Sequence, residues 1–144
     1  MRQAVDILTI STRGRGLVEV TRDVLTWLKP HTVQTGLLTL FCRHTSAGLL
    51  IQENAARDVR ADLETFFDRL APEDASRYRH ADEGPDDMPA HIRTALIGVQ
   101  LGDSDRAGRT RLGNLARSLL VRASACAASA TNCPASYWGM TAGA

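Results

Sequence analysis

Two apolar runs joined by a short polar connection constrain the fold of this chain more than any other feature. Residues 35–43, "TGLLTLFCR", are followed by His44, Thr45 and Ser46, and then by residues 47–53, "AGLLIQE". Short apolar runs bounded by polar or glycine residues are typical of buried β-strands. The sequence therefore predicts two successive strands, with the polar triplet in their connection.

An amphipathic helix is predicted directly after these strands. Asn54 occupies the position of an N-cap, and Pro72 follows the end of the pattern. The apolar residues between them recur at helical period, and we expect them to face the core: Val59, Leu63, Phe66 and Leu70.

Further elements complete an α+β pattern. A first strand is predicted near residues 5–10, a helix capped by Thr21 over 21–29, and a helix over 90–98 that is capped by Asp86 or Asp87 and ends at Gly98. A long polar loop is predicted over 71–88. After Leu101 the pattern predicts another polar loop, a weak helix over 112–121 and a low-complexity tail.

Composition excludes several classes of protein. The chain is 44% hydrophobic and 23% charged with a net charge of +1, which is typical of a globular protein and argues against a nucleic-acid partner. No apolar run reaches the roughly 18 residues that span a bilayer, and the N-terminus does not resemble a secretory signal. Three cysteines without CxxC spacing argue against a disulfide framework and a cysteine-based zinc site. We therefore expect a cytoplasmic protein without a membrane partner.

The segment "HADEGPDDMPAH" concentrates groups that bind metals or transfer protons. It places His80 and His91 around four carboxylates, and imidazole with carboxylate suits zinc, manganese or a similar divalent ion. Imidazole also transfers protons near neutral pH. The spacing of the two histidines matches no compact metal motif. A solvated acidic loop with a helix-capping aspartate therefore remains an alternative.

The other polar residues each allow a structural and a functional interpretation. Asp58 and Asp62 lie four residues apart and so share one helix face. Either this face is simply solvated, or the two carboxylates form a pair that binds a cation. The triplet from His44 to Ser46 is a turn or part of a polar site, and no nucleophile motif surrounds Ser46.

Two segments together resemble a known family. "HTSAGLLIQENAARDVRADL" followed by "HADEGPDDMPAHI" resembles the small bacterial and archaeal proteins known as secondary thiamine-phosphate synthase enzymes, or YjbQ-like proteins. The resemblance covers residues 1–101, which we treat as the family-like domain, and leaves 102–144 as a divergent segment. It implies a single α+β domain with a mixed or antiparallel sheet and two or three helices, assembled as a homotrimer.

The resemblance also implies an activity. Members of this family join a hydroxymethylpyrimidine diphosphate to a thiazole phosphate and release pyrophosphate, weakly and with help from a divalent metal ion such as zinc, magnesium or manganese. The alternative is a protein that binds a metal or a small phosphorylated metabolite without catalysis. The residues carried over are His44, Asp82 and His91 as catalytic, Thr45, Ser46, Asn54 and Asp58 as substrate-binding, and His44, His80 and His91 as metal ligands.

The segment after Leu101 departs from the family, which continues with strands, a G-T-W-Q-G segment and a Cys-Glu-His run. One set of permitted codons for residues 102–124, read one base later, encodes "GIAIAQGELAWGTWQGLYLCEH". Because tryptophan has a single codon, this coincidence is hard to obtain by chance. The sequence therefore predicts a frameshift near residues 101–103, and impaired activity for a protein that carries the divergent segment.

Overall fold

A computed structural model describes residues 4–12, 14–31, 35–52, 56–106, 118–123, 137–139 and 141–142. Within these residues the chain forms eight strands and three α-helices, which confirms the predicted α+β class. The helices are α1 (Thr21–Leu28), α2 (Arg57–Leu70) and α3 (Asp87–Ile97). The strands are β1 (Ile7–Thr9), β2 (Gly16–Glu19), β3 (Thr35–Phe41), β4 (Ala47–Gln52), β5 (Gln100–Arg106), β6 (Ser118–Ala123), β7 (Tyr137–Gly139) and β8 (Thr141–Ala142).

The described strands pair antiparallel in three small sheets. Their orders are β1-β7, β2-β6-β4 and β5-β3-β8. The two strands predicted from the apolar runs are confirmed as β3 and β4, but each belongs to a different sheet. Successive side chains on β3 alternate between the faces of its sheet, as strand geometry requires. Leu38 and Leu40 are therefore buried, while Leu37 and Phe41 are exposed.

The core lies between α1 and the strands β3 and β4. Because Val24 and Trp27 are three residues apart, they lie on one face of α1, and both are buried. The Trp27 indole N–H donates to Asp6 Oδ2 at 3.1 Å, which satisfies the one polar atom of that side chain. The core cluster consists of Val20, Val24, Trp27, Leu38, Leu40, Cys42, Ala47 and Leu49.

The predicted inner face of α2 is wrong for Phe66 and Leu70, whereas Val59 and Leu63 are partly buried. Phe66 and Leu70 are 58% and 47% exposed, whereas Phe67 and Ala71 are 6% and 0% exposed. Polar contacts with β2 determine this rotation. Glu64 Oε1 accepts the Leu17 N–H at 2.7 Å, and Arg60 donates to the Leu17 carbonyl. These contacts turn Arg60 and Glu64 toward β2 and carry Phe67, which lies on the same side of the helix, into the interior.

The helix ends also differ from expectation in detail. Helix α1 includes Thr21 in its first turn, and no side chain caps it. Helix α2 begins at Arg57, while Asn54, its predicted cap, lies outside the described residues. Helix α3 begins at Asp87, so Pro89 is its third residue, and Gly98 ends it as predicted.

The prediction for the chain after Leu101 is wrong where the structure describes it. Instead of a polar loop, residues 100–106 form β5, which pairs with β3 along its length. Residues 118–121, predicted to be helical, belong to β6, which pairs with both β2 and β4. Most of the predicted tail, with Cys126 and Cys133, lies outside the described residues. For β5, backbone pairing with β3 outweighs the polar composition of the segment.

No helix in the described part of the chain is long and apolar enough to cross a membrane. The cytoplasmic location stays a prediction.

Candidate metal centre

Close packing of α3 on β4 brings two distant parts of the sequence together. The Leu49 N–H donates to the Gly98 carbonyl at 2.9 Å, and Gly98 adopts a left-handed φ of 85° at the end of α3. Gly48 permits this approach, because a Cβ at that position would lie 2.6 Å from both Gly98 O and Ile97 Cγ1. Helix α3 thus lies against the chain that connects β3 to β4.

Three potential metal ligands converge at the start of α3. Asp87 is in its first turn, and His91 follows four residues later on the same face. His80 approaches from the loop before the helix. Asp87 Oδ2 lies 3.0 Å from His80 Nε2 and 3.1 Å from His91 Nε2. One potential ligand atom from each residue lies within 4.8 Å of those from the other two.

The cluster is partly enclosed. The Asp87 side chain is only 4% exposed, whereas the side chains of His80 and His91 are 43% and 33% exposed. The carboxylate therefore forms the base of the cluster, and the two rings form its more open side. A buried carboxylate is costly unless it is paired with or binds a cation, and both imidazole rings lie within about 3 Å of this one.

The orientation of His91 limits where its proton can be. Its Nδ1 lies 3.1 Å from the carbonyl oxygen of Thr45, which only accepts hydrogen bonds, so Nδ1 carries a proton and donates. In a neutral ring, Nε2 then has a lone pair, and that lone pair faces the Asp87 carboxylate at 3.1 Å. Two acceptors at this distance need a cation between them, either a second proton or a metal ion.

The donor set fits a divalent metal ion. Two imidazole nitrogens and one carboxylate oxygen suit zinc and related ions, whose bonds to such atoms are about 2.0–2.2 Å long. The separations of 3.0 and 3.1 Å are close to those of neighbouring ligands around one ion of this size. The hydrogen bond from His91 Nδ1 to a backbone carbonyl is also the usual way in which proteins orient a metal-binding histidine.

An open groove of about 440 Å³ adjoins this cluster. His91 belongs to both, since it contacts Asp87 and lines the groove. The groove is therefore large enough for a small organic ligand that reaches the cluster. Its lining residues are Phe41, Cys42, Arg43, His44, Thr45, His91, Thr94, Ala95 and Val99.

His44 lies in the groove rather than in the cluster. Its Nδ1 accepts the Ser46 N–H at 2.9 Å, which fixes the ring against the connection between β3 and β4. Burial lowers the pKa of His44, and the positive charge of His91 lowers it further, while Asp87 acts in the opposite direction.

The structure brings together part of the site predicted from the sequence. His80 and His91 belong to the cluster, and His44 and Thr45 line the adjoining groove. Ser46 is buried, and its backbone N–H contacts His44. The three other predicted positions are Asp58, exposed on the first turn of α2; Asp82, exposed in the loop before α3; and Asn54, outside the described residues.

Asp87 is the member of the cluster that was not among the predicted site residues: the sequence placed it among four carboxylates suited to a metal and also made it a candidate helix cap. The signal was present in "DDMPAH", where Asp87 and His91 are spaced by four residues, as ligands on one helix face would be. The structure shows no side-chain capping bond for α3 and directs the Asp87 carboxylate to the two histidines instead.

The fold and this cluster define an α+β protein with a histidine–aspartate site beside a groove. The family model described as UPF0047 protein YjbQ-like matches residues 6–121, and the chain therefore belongs to this family. A UPF0047 protein of Synechocystis is 54% identical over 95 residues, which cover 66% of this chain and 65% of that protein. The UPF0047 protein YjbQ of Salmonella typhimurium is 43% identical over 109 residues, covering 74% and 77% of the two chains.

Solved structures agree with the fold. A conserved hypothetical protein from Thermus thermophilus superposes with a TM-score of 0.74 at 32% identity, covering 94% of this chain and 97% of that one. A YbjQ-like protein of unknown function from Sulfolobus solfataricus superposes with a TM-score of 0.75 at 18% identity, covering 98% of this chain and 95% of that one. At that identity the second comparison supports the fold alone.

Proposed function

We propose that this protein holds a divalent metal ion with His80, Asp87 and His91 and uses it to bind a small phosphorylated metabolite in the adjoining groove. The observation that carries the proposal is the contact between His91 Nε2 and Asp87 at 3.1 Å while His91 Nδ1 donates to Thr45. Three protein ligands leave a coordination position open, as in catalytic rather than structural zinc sites.

The reaction we propose is the transfer that the family resemblance implies. The bond between the pyrimidine methylene carbon and its diphosphate oxygen breaks, and the electron pair leaves with pyrophosphate. The thiazole nitrogen lone pair forms the new carbon–nitrogen bond and gives thiamine phosphate. A bound divalent ion would supply Lewis-acid stabilisation of the diphosphate.

The residues of this chain have separate parts in that proposal. Asp87 and His80 hold the ion together with His91, and the Thr45 carbonyl keeps the His91 ring in position. Arg43 lines the groove and offers a positive charge to a phosphate group. Phe41 and Val99 give the groove apolar walls against which a flat ring can pack.

Binding without catalysis is the second candidate, and one observation favours it. Two phosphorylated substrates carry several negative charges, yet among the described residues that line the groove Arg43 is the only arginine or lysine. One cationic side chain and one metal ion suit a single phosphorylated ligand better than two.

Metal binding tests the proposal directly. The purified protein is expected to bind Zn²⁺ in calorimetric titration, and Asp87→Asn is expected to weaken that binding by about 100-fold or more, since even second-shell changes cost about 10–100-fold. Asp62→Asn, which removes an exposed carboxylate from α2, is the matched control and should bind like the wild type. Equal Zn²⁺ affinity in the wild type and Asp87→Asn would overturn the metal centre.

An activity assay separates the two candidates. Formation of thiamine phosphate from the two phosphorylated substrates should require the metal and disappear in Asp87→Asn. Zn²⁺ binding with no more product than in that variant would leave the binding function and exclude the transferase.

We further propose that the protein assembles as a homotrimer, as the family resemblance implies. Leu37 and Phe41 are 55% and 43% exposed on the outward face of β3, and Phe41 also lines the groove. An exposed apolar pair of this kind is typical of a protein interface. Light scattering is expected to give three times the mass of the 15.6 kDa chain, and Leu37→Asp to give the monomer mass. A monomeric wild-type protein would contradict the proposal.

A further inference from the structure

His44 and His91 contact the same short segment but in opposite ways. The Ser46 backbone N–H donates to His44 Nδ1 at 2.9 Å, whereas His91 Nδ1 lies 3.1 Å from the Thr45 carbonyl. A backbone N–H can only donate and a carbonyl can only accept. The two rings are therefore held in different tautomers by adjacent backbone groups.

The consequence for His44 is that its proton lies on Nε2. Because Nδ1 accepts a hydrogen bond, the neutral ring carries its single hydrogen on the other nitrogen. Burial in the groove wall disfavours the charged imidazolium and lowers the pKa of His44, which agrees with the neutral ring that the accepted hydrogen bond requires. His91 has the reverse arrangement, in which Nδ1 carries a proton and the neutral ring has its lone pair on Nε2.

These tautomers suit the two histidines to different partners. A metal ion needs a lone pair, which His91 directs toward Asp87. A protonated Nε2 cannot bind a metal, but it can donate to an oxygen atom. His44 also lies outside the ligand cluster of His80, Asp87 and His91, although it lines the same groove as His91.

We propose that His44 is a neutral hydrogen-bond donor that selects a phosphate oxygen of the groove ligand, and that it is not a metal ligand. The inference rests on the proposed function in one respect, namely that the ligand in the groove is phosphorylated. Arg43, the neighbouring residue in the groove wall, would supply the positive charge, and His44 would supply a directional hydrogen bond. The connection between β3 and β4 is thus a ligand-recognition element, and α3 and the preceding loop supply the metal ligands.

Two substitutions separate the nitrogen atoms of His44. The side-chain amide of asparagine reaches the position of Nδ1, so His44→Asn keeps an acceptor for the Ser46 N–H but loses the donor. The longer glutamine reaches the position of Nε2, so His44→Gln keeps a donor. With pyrophosphate as the probe and Zn²⁺-loaded protein, we expect His44→Asn to weaken binding by about tenfold or more, since a hydrogen bond to a charged group is lost. His44→Gln should bind within about threefold of the wild type because it retains that bond.

Metal affinity and nitrogen NMR complete the test. Both variants should bind Zn²⁺ like the wild type, and ¹⁵N spectra should show His44 in the Nε2–H form with and without Zn²⁺. Loss of Zn²⁺ affinity in both variants, an Nδ1–H tautomer, or pyrophosphate binding by His44→Asn that equals the wild type would each overturn the inference. A wild-type protein that binds no Zn²⁺ would instead overturn the proposed function, and the tautomer measured without metal would still decide whether His44 can donate.

Discussion

Replacement of Arg93 by methionine is expected to lower the free energy of unfolding by about 1–3 kcal/mol, the cost of leaving a buried hydrogen-bonding group without its partner. Arg93 is 2% exposed and joins α3 to the end of α2. Its guanidinium donates to the Phe67 carbonyl at 3.3 Å, the Ala71 carbonyl at 2.6 Å and Asp68 Oδ1 at 3.1 Å. Because methionine has a comparable apolar stem, the loss of stability in this variant measures the contribution of the polar contacts.

The physical reason is that Arg93 donates to the Ala71 carbonyl just after α2, whereas the Phe67 carbonyl that it also contacts already accepts the Ala71 N–H at 3.0 Å. The last carbonyls of a helix have no partner inside the helix, and a buried one without a donor costs about 1–3 kcal/mol. Burial lowers the pKa of Arg93, and the negative charges of Asp68 and Glu73 act in the opposite direction.

Denaturant unfolding measures this effect, and Arg69→Met is the matched control. Arg69 lies on the exposed face of α2, so its replacement should change stability by less than about 0.5 kcal/mol. A loss below about 1 kcal/mol for Arg93→Met would show that water or other groups replace its hydrogen bonds.

Replacement of Asp103 by isoleucine is expected to raise the free energy of unfolding by about 2–4 kcal/mol, from relief of an unpaired polar group and burial of an apolar one. Asp103 pairs with Leu38 across β5 and β3, and Leu38 is 3% exposed on the core side of the sheet. Paired residues on neighbouring strands project to the same face. Asp103 Oδ2 is buried, and no hydrogen-bond partner is present for it in the part of the chain that the structure describes.

Asp103→Asn is the control for this gain. It removes the charge but keeps a polar group at the same place, so its effect should be less than half that of isoleucine. Equal stability of Asp103→Ile and the wild type in denaturant unfolding would show that the carboxylate has a partner or reaches water.

The same position bears on the predicted frameshift. In the shifted reading, residue 103 becomes isoleucine, the kind of residue that the core face of β5 requires opposite Leu38. An unpartnered buried carboxylate oxygen opposite Leu38 agrees with the shift, which stays a prediction. The nucleotide sequence across codons 98–106 and the intact mass of the natural protein decide it. Codons whose shifted frame does not encode the W-G-T-W-Q-G string would end the proposal.

The sequence by itself determined the features that depend on local pattern. The apolar runs of β3 and β4 and the end of α3 at Gly98 follow from residue type over a few positions, and the structure contains them. The family also followed from sequence, because "HADEGPDDMPAH" and the segment after His44 are long and specific.

Tertiary structure alone decided how these elements face one another. Helix α2 shows an apolar stripe, yet contacts of Arg60 and Glu64 with Leu17 turn Phe67 rather than Phe66 inward. A helical period fixes which residues share a face but not which face the neighbouring strand will bind. The polar segment after Leu101 forms β5 for a similar reason, since pairing with β3 satisfies its backbone whatever its side chains prefer.

In the candidate metal centre, too, some features follow from the sequence and others only from the tertiary structure. The sequence supplied His80 and His91, but Asp87 had the equally good interpretation of a helix cap until the fold directed its carboxylate to both rings. The separate parts of His44 and His91 depend on one N–H and one carbonyl in the connection between β3 and β4. The His44 contact is local, but the His91 contact joins residues 46 positions apart, so it leaves no trace in residue type and forms only when α3 packs against β4 over Gly48.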